Sequence, residues 1–155
     1  MPDFDQKKVF ETLNTILEME LAGVVRYNHY SFMIYGHARI PITKWLRELA
    51  QESMLHAQEA GELITTLGGH PSLGIGPLLE TEKHDIDDIL RESLEHETAA
   101  LDAYELLLDL VTGKSVLLEE FSRKRIYEET LHIAEVDKML RRPGDIEPAE
   151  GPTVR

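Results

Sequence analysis

The chain has 155 residues, 42% apolar and 29% charged, which suits one folded domain with a real core and excludes an extended disordered polymer. Asp and Glu number 29 against 16 Lys and Arg, and the net charge of −13 argues against a broad nucleic-acid-binding face or adhesion to anionic lipid while favouring cations. There is no cysteine, so disulfides, zinc–thiolate sites, iron–sulfur clusters and thiol catalysis are ruled out, and any transition metal must be held by His, Asp, Glu or Met.

The opening stretch "MPDFDQKKVF" has neither a signal-peptide nor a transit-peptide pattern, and no apolar run approaches the roughly 20 residues of a membrane span. A cytoplasmic protein without a membrane partner is expected. From Phe4 to Tyr35 there is no proline and only Gly23, and the apolar spacing predicts one long helix. Gly36 and Pro41 bracket a short connection, with Thr43 as the expected N-cap of a second helix reaching Leu67. "GGHPSLGIGPLLETEKH", residues 68–84, reads as a long connection without helix. A third helix is expected over Asp85–Val111, followed by a tight turn at "TGKS". Ser115 is the expected cap of a fourth helix running to about Arg142, where Pro143-Gly144 stops it. No segment alternates with period two, so no sheet is expected.

The fold class is therefore all-α, an antiparallel four-helix bundle over residues 1–142 with one long crossover between the second and third helices. A Pro/Gly-rich tail, 143–155, follows it. A crossover of this length can span the roughly 40 Å of such a helix and let the second and third helices run parallel.

The 3-4 spacing of a bundle seam can be followed along each helix. It passes Leu13, Leu17, Glu20, Val24 and Tyr27 in the first and Leu49, Ser53, His56, Ala60 and Leu63 in the second. In the third it passes Leu94, Glu97, Leu101 and Tyr104, and in the fourth Ser122, Arg125, Glu129, His132 and Val136. Each apolar seam is interrupted near its midpoint, by Glu20, His56, Glu97 and the Glu129/His132 pair. In an antiparallel bundle the midpoints share one level, so these five side chains are expected in one cross-section. Removing one partner of a buried ion pair costs about 3–5 kcal/mol, and Arg125 alone cannot offset three carboxylates. A bound cation would compensate them; a fully hydrogen-bonded polar network is the alternative. Carboxylate and imidazole without sulfur suit iron or manganese, with zinc a further candidate.

Several segments resemble the ferritin-like superfamily, and bacterioferritin in particular. They are "LNTILEMELAGVVRYNHY", "ESMLHAQEAGELITTLGGHPSL", "LEHETAAL" and "EETLHI", spread over residues 8–142. The resemblance implies a di-iron site with a Glu from each of the first and third helices and a Glu-x-x-His from each of the second and fourth. On that basis Glu20 and Glu97 are terminal carboxylates, His56 and His132 the imidazoles, and Glu129 a bridging carboxylate. Tyr27 matches a tyrosine the family keeps near the site, as hydrogen-bond partner or one-electron donor, or as a core residue with its hydroxyl satisfied. The implied chemistry is oxidation of Fe(II) by dioxygen or peroxide, with the ferric product passing into a mineral core.

Three departures stand out. The position three before His56 is Ser53 where the family has its other bridging Glu, which implies a weakened or asymmetric site. Glu52, Glu59 or solvent could replace the missing bridge, although Glu48 and Glu52 also match cavity-facing, iron-binding positions of the family. Met54 matches the methionine that, with its mate across a two-fold dimer, ligates heme b; the alternative is an exposed or interface methionine. The tail "RPGDIEPAEGPTVR" cannot form the short fifth helix that lines channels in the family's cages. A homodimer is expected, assembling into a cage with altered channels, with or without a second bacterioferritin subunit.

Three functions follow: an iron-storage ferroxidase weakened by Ser53, a heme- and iron-binding subunit with little ferroxidase activity working beside an intact partner subunit, or a small oxidase or peroxidase dimer that stores no mineral. His29, His37, His70, His84 and His96 read as surface or loop residues outside the layer.

Overall fold

A computed structural model describes residues 3–78 and 80–149. It contains four helices, α1 (Gln6–Phe32), α2 (Arg39–Thr66), α3 (Ile86–Val111) and α4 (Val116–Leu140), and no strand among the described residues. Asp5 caps α1 by accepting the Lys8 N–H at 3.2 Å, and Ser115 caps α4 by accepting the Leu118 N–H at 3.3 Å.

The second helix starts at Arg39, not at Thr43. Pro41 lies in its first turn, where backbone N–H groups have no helical acceptor and a proline removes nothing. Thr43 is buried, and its Oγ1 donates to the Ser31 carbonyl at 3.4 Å. The first helix ends at Phe32 instead of Tyr35, and its closing carbonyls are taken up from α2. Arg39 Nη1 donates to Ile34 O at 2.8 Å and to Ser31 O at 3.3 Å, while Arg47 Nε reaches Ser31 Oγ at 3.3 Å. The fourth helix stops at Leu140 rather than Arg142.

The chain divides into two compact units, one spanning Asp5–Ile86 and the other built on Asp87 and the residues after it. Within the first, α1 and α2 form an antiparallel hairpin that buries Val9, Leu13 and Ile16 from α1 and Leu46, Ala57, Ala60 and Ile64 from α2. Within the second, Tyr104 of α3 meets Phe121 of α4 edge to face, with ring centroids 6.0 Å apart. Gly113, at φ +75°, turns the short link between these helices through a conformation that costs other residues more.

In the second unit the chain beyond α4 folds back on it. Asp137 is fully buried, and its two carboxylate oxygens accept from Arg141 Nε at 2.9 Å and from the Ala149 N–H at 3.0 Å. Arg141 Nη1 in turn donates to Ile146 O at 2.9 Å. Residues 143–149 contain no helix, and residues 150–155 of the expected tail lie outside the described residues.

The crossover after α2 is fastened to α1 by main-chain contacts. Asn14 Oδ1 accepts the Ser72 N–H at 2.7 Å and its Nδ2 donates to His70 O at 3.4 Å. The Gly76 N–H donates to Glu18 O at 2.8 Å, and Arg26 Nε donates to Pro77 O at 3.1 Å. The connection thus travels beside α1 from Asn14 towards His29, roughly 22 Å of helix. At Gly76 backbone lies on backbone: a Cβ there would stand 3.0 Å from Glu18 O and 3.2 Å from Met19 Cα. At Gly74 a Cβ would meet the Glu18 carboxylate at 2.7 Å, the mobile end of a side chain.

Gly76→Ala is therefore expected to destabilise the fold by about 1–3 kcal/mol, because helical backbone cannot move aside. Gly74→Ala should change stability by less than about 0.5 kcal/mol, since Glu18 can swing away. Urea unfolding of the two variants beside the parent measures the difference; equal stabilities would mean that the crossover does not lie this close to α1.

Candidate metal centre

Midway along the first hairpin α1 buries Glu20, 6% exposed, because its neighbours on the seam, Leu13, Leu17 and Tyr27, carry that stripe of the helix into the core. From α2, His56 Nδ1 lies 3.4 Å from Glu20 Oε2. Ser53 occupies the buried position three before His56, at 7% exposure, as the seam spacing requires. Glu48, Glu52 and Glu59 are all exposed. Tyr27 is 1% exposed and stacks edge to face on Tyr30, with centroids 6.1 Å apart and planes at 80°. Met54, two before His56, is 39% exposed.

In the second hairpin α3 buries Glu97 and α4 buries Glu129. His132 Nε2 of α4 lies 4.0 Å from Glu97 Oε1 of α3. Glu129 Oε1 is buried with no hydrogen-bond partner. Arg125 is buried one turn before Glu129, but its Nη1 is paired with Glu128 at 3.0 Å and its Nε has no hydrogen-bond partner. A buried carboxylate oxygen left without a donor carries a desolvation cost of about 1–3 kcal/mol, and more when charged.

Each hairpin therefore brings a glutamate of one helix to a histidine of the other. The second adds a further carboxylate with coordination capacity to spare. α3 and α4 thus supply two carboxylates and an imidazole, oxygen and nitrogen donors of the kind iron takes, although among the described residues their donor atoms do not gather within 4.8 Å of one another. The first hairpin offers one carboxylate and one imidazole, with the Ser53 hydroxyl, a weak donor without charge, in the remaining buried place.

One of the histidines expected at the surface differs from that expectation. His96 is buried, since α3 buries a broad stripe that includes Glu92, Ser93, His96 and Glu97. His29 of α1 and His84 of the crossover both meet Glu80, a group that seam spacing could not reveal because the crossover follows no helical period. The Glu82 N–H donates to Glu80 Oε1 at 2.6 Å and, with His29 and His84, holds the Glu80 carboxyl below the usual carboxylate range against a smaller opposing effect of burial. His37 and His70 are exposed.

Residues 10–143 match the ferritin-like domain family. Among solved structures the chain is similar to a ferritin-like diiron-carboxylate protein of Bacillus anthracis str. Ames, 25% identical, with a TM-score of 0.78 over 87% of this chain and 96% of that one. The bacterioferritin-related protein of Bacteroides fragilis, a dodecameric thioferritin, is 21% identical, with a TM-score of 0.82 over 88% and 86%. Rhodobacter capsulatus bacterioferritin, solved with a metal-free dinuclear site and heme iron in a crystallographic special position, is 24% identical, with a TM-score of 0.73 over 87% and 84%. No curated protein sequence matches significantly. The last two likenesses speak for the fold, and the family match spans nearly all of the helical sequence. With its two helical hairpins joined by one long crossover, this chain belongs to the ferritin-like family and has its four-helix-bundle fold.

Proposed function

We propose that the protein oxidises Fe(II) and stores or detoxifies the product, with Glu20, His56, Glu97, Glu129 and His132 as the ligands of one di-iron site. The observation that carries this reading is the buried Glu129 oxygen without a hydrogen-bond donor, on the hairpin that also pairs Glu97 with His132. A cation supplies what that oxygen lacks, and its charge offsets carboxylates that would otherwise be costly to bury. Membership of the ferritin-like family supports bringing the Glu20–His56 pair to the same ions.

Iron, when bound, supplies the one-electron chemistry: Fe(II) is the substrate and dioxygen or peroxide the oxidant. The chain's own residues do the rest. Glu20 and Glu97 would hold the iron as terminal carboxylates, with Glu129 as the bridging carboxylate and the two imidazoles completing the donor set. The buried hydroxyl of Tyr27, seven residues along α1 from Glu20, is a hydrogen-bond partner or one-electron donor of the site. Glu52, exposed on α2, is proposed to bring iron to the site, and swings in as a ligand only if the bridge needs it.

Ser53 favours a slower variant of the same reading: a heme- and iron-binding subunit with little ferroxidase activity of its own, working with an intact partner subunit. Met54, exposed on α2, is proposed as the axial ligand of heme b shared by two copies of the chain. That pairing makes a homodimer the building block of a cage, whose channels lack a fifth helix from residues 143–149. No helix among the described residues is long and apolar enough to cross a membrane, and the proposed location is the cytoplasm.

In anaerobically prepared protein mixed with Fe(II) and oxygen, Glu129→Ala should slow the initial oxidation at least about tenfold, as loss of a ligand exceeds the 10–100-fold typical of supporting residues. An unchanged rate would remove the site. In the same assay Ser53→Glu should accelerate oxidation about tenfold; equal rates in parent and variant would mean that Ser53 imposes no handicap and would dismiss the partner-subunit reading. Parent protein titrated with hemin should take up one heme per two chains with a low-spin spectrum, and Met54→Leu should lose that spectrum. Identical spectra would remove Met54 as ligand.

A further inference from the structure

We propose a second cation site, formed by His29, Glu80 and His84, that takes a divalent transition ion of zinc type and clasps the end of the crossover to α1. It does not depend on the reading of Glu20, His56, Glu97, Glu129 and His132. His29 lies nine residues beyond Glu20, about 13 Å along α1.

The geometry is that of a ligand set slightly open. One donor atom from each of the three side chains lies within 4.8 Å of the others. The two oxygens of Glu80 face different imidazoles: Oε2 touches His29 Nε2, and Oε1 lies 3.7 Å from His84 Nε2. Tetrahedral zinc, with bonds of about 2.0–2.1 Å, sets its donors roughly 3.4 Å apart. The His84–Glu80 pair thus stands near the bound separation and the widest pair is at most about 1.4 Å beyond it, while His29 and Glu80, in direct contact, must part to admit the ion. The side chains are partly exposed, at 45%, 32% and 34%, so an ion can reach them and they can make that adjustment.

Two imidazoles and a carboxylate, with no lysine or arginine ion pair at Glu80 among the described contacts, are a donor set for first-row transition ions rather than for Ca(II) or Mg(II). The carboxylate is also held in place. Glu82 adopts φ 57°, a left-handed conformation that costs a non-glycine residue about 1–2 kcal/mol, and this turn directs its N–H at Glu80 Oε1. Upstream, Pro77 is anchored to Arg26 and Gly76 to Glu18. A cavity of about 220 Å³ adjoins His29 and Glu80, bordered also by Val25, Arg26, Tyr30 and Leu78. It leaves room for the water that would complete three protein ligands to four. The ion would join α1 to the last turn of chain before α3 begins at Ile86.

The test is Zn(II) added to the full-length protein, followed by anomalous diffraction at the zinc edge and a count of bound zinc by equilibrium dialysis. A peak about 2.0–2.2 Å from His29 Nε2, His84 Nε2 and a Glu80 oxygen is expected. His29→Ala and His84→Ala should each lose one zinc per chain, or bind it at least about tenfold more weakly. Glu97→Ala should keep that ion, since it alters only the other site. Hydrogen exchange over residues 76–84 should slow with zinc in the parent and not in His84→Ala. Zinc found only beside Glu97 and Glu129, or zinc counts unchanged in both histidine variants, overturns the proposal and leaves the three residues as an ion-paired surface cluster.

Discussion

A carboxylate taken out of water must find a proton, a donor or a cation, and this constraint organises the molecule from the middle of its helices outward. Both hairpins meet it in the same way, by setting a glutamate of one helix against a histidine of the other: Glu20 with His56, and Glu97 with His132. Glu129 Oε1, buried on the second hairpin, is left with no hydrogen-bond donor. A core designed only for stability would place leucine at these seam positions, since hydrophobic replacement of buried ion pairs is often neutral or stabilising. The two hairpins differ at this point, because the second buries two carboxylates, Glu97 and Glu129, while the first buries Glu20 and the Ser53 hydroxyl.

The helices and their interruptions were legible in the sequence because both depend on periodic side-chain patterns. Gly36, Gly68 and Gly113 mark breaks that the backbone does make, and Ser115 caps the helix it precedes. Glu20, Glu97 and Glu129 are buried where the 3-4 spacing puts them, as is Ser53. The start of α2 was misleading: Pro41 looked like the end of a connection and Thr43 like a cap, yet the first turn of a helix accepts a proline without loss. His96 sits beside the seam and is buried all the same, because α3 hides a wider stripe than one seam requires.

What escaped the sequence is what involves main chain or long separation. The crossover meets α1 through the backbone of His70, Ser72, Gly76 and Pro77, and backbone contacts leave no periodic trace in residue type. His29 and Glu80 are 51 positions apart, and nothing in either stretch announces the other. Likewise, Asp137 reads as one more helical acid until the returning chain is seen on its carboxylate.

The crossover also carries a consequence for how this chain can vary. Ser72, Gly76 and Pro77 are bound in turn to Asn14, Glu18 and Arg26, so the connection is graduated against α1 like a rule against an edge. One residue gained or lost between Ser72 and Gly76 would leave at least one of these marks without its mate, although long surface loops ordinarily tolerate such changes at little cost. Length can therefore change freely only outside the graduated stretch. The segment that looks most like a spacer is the part of the chain whose length has least freedom to drift.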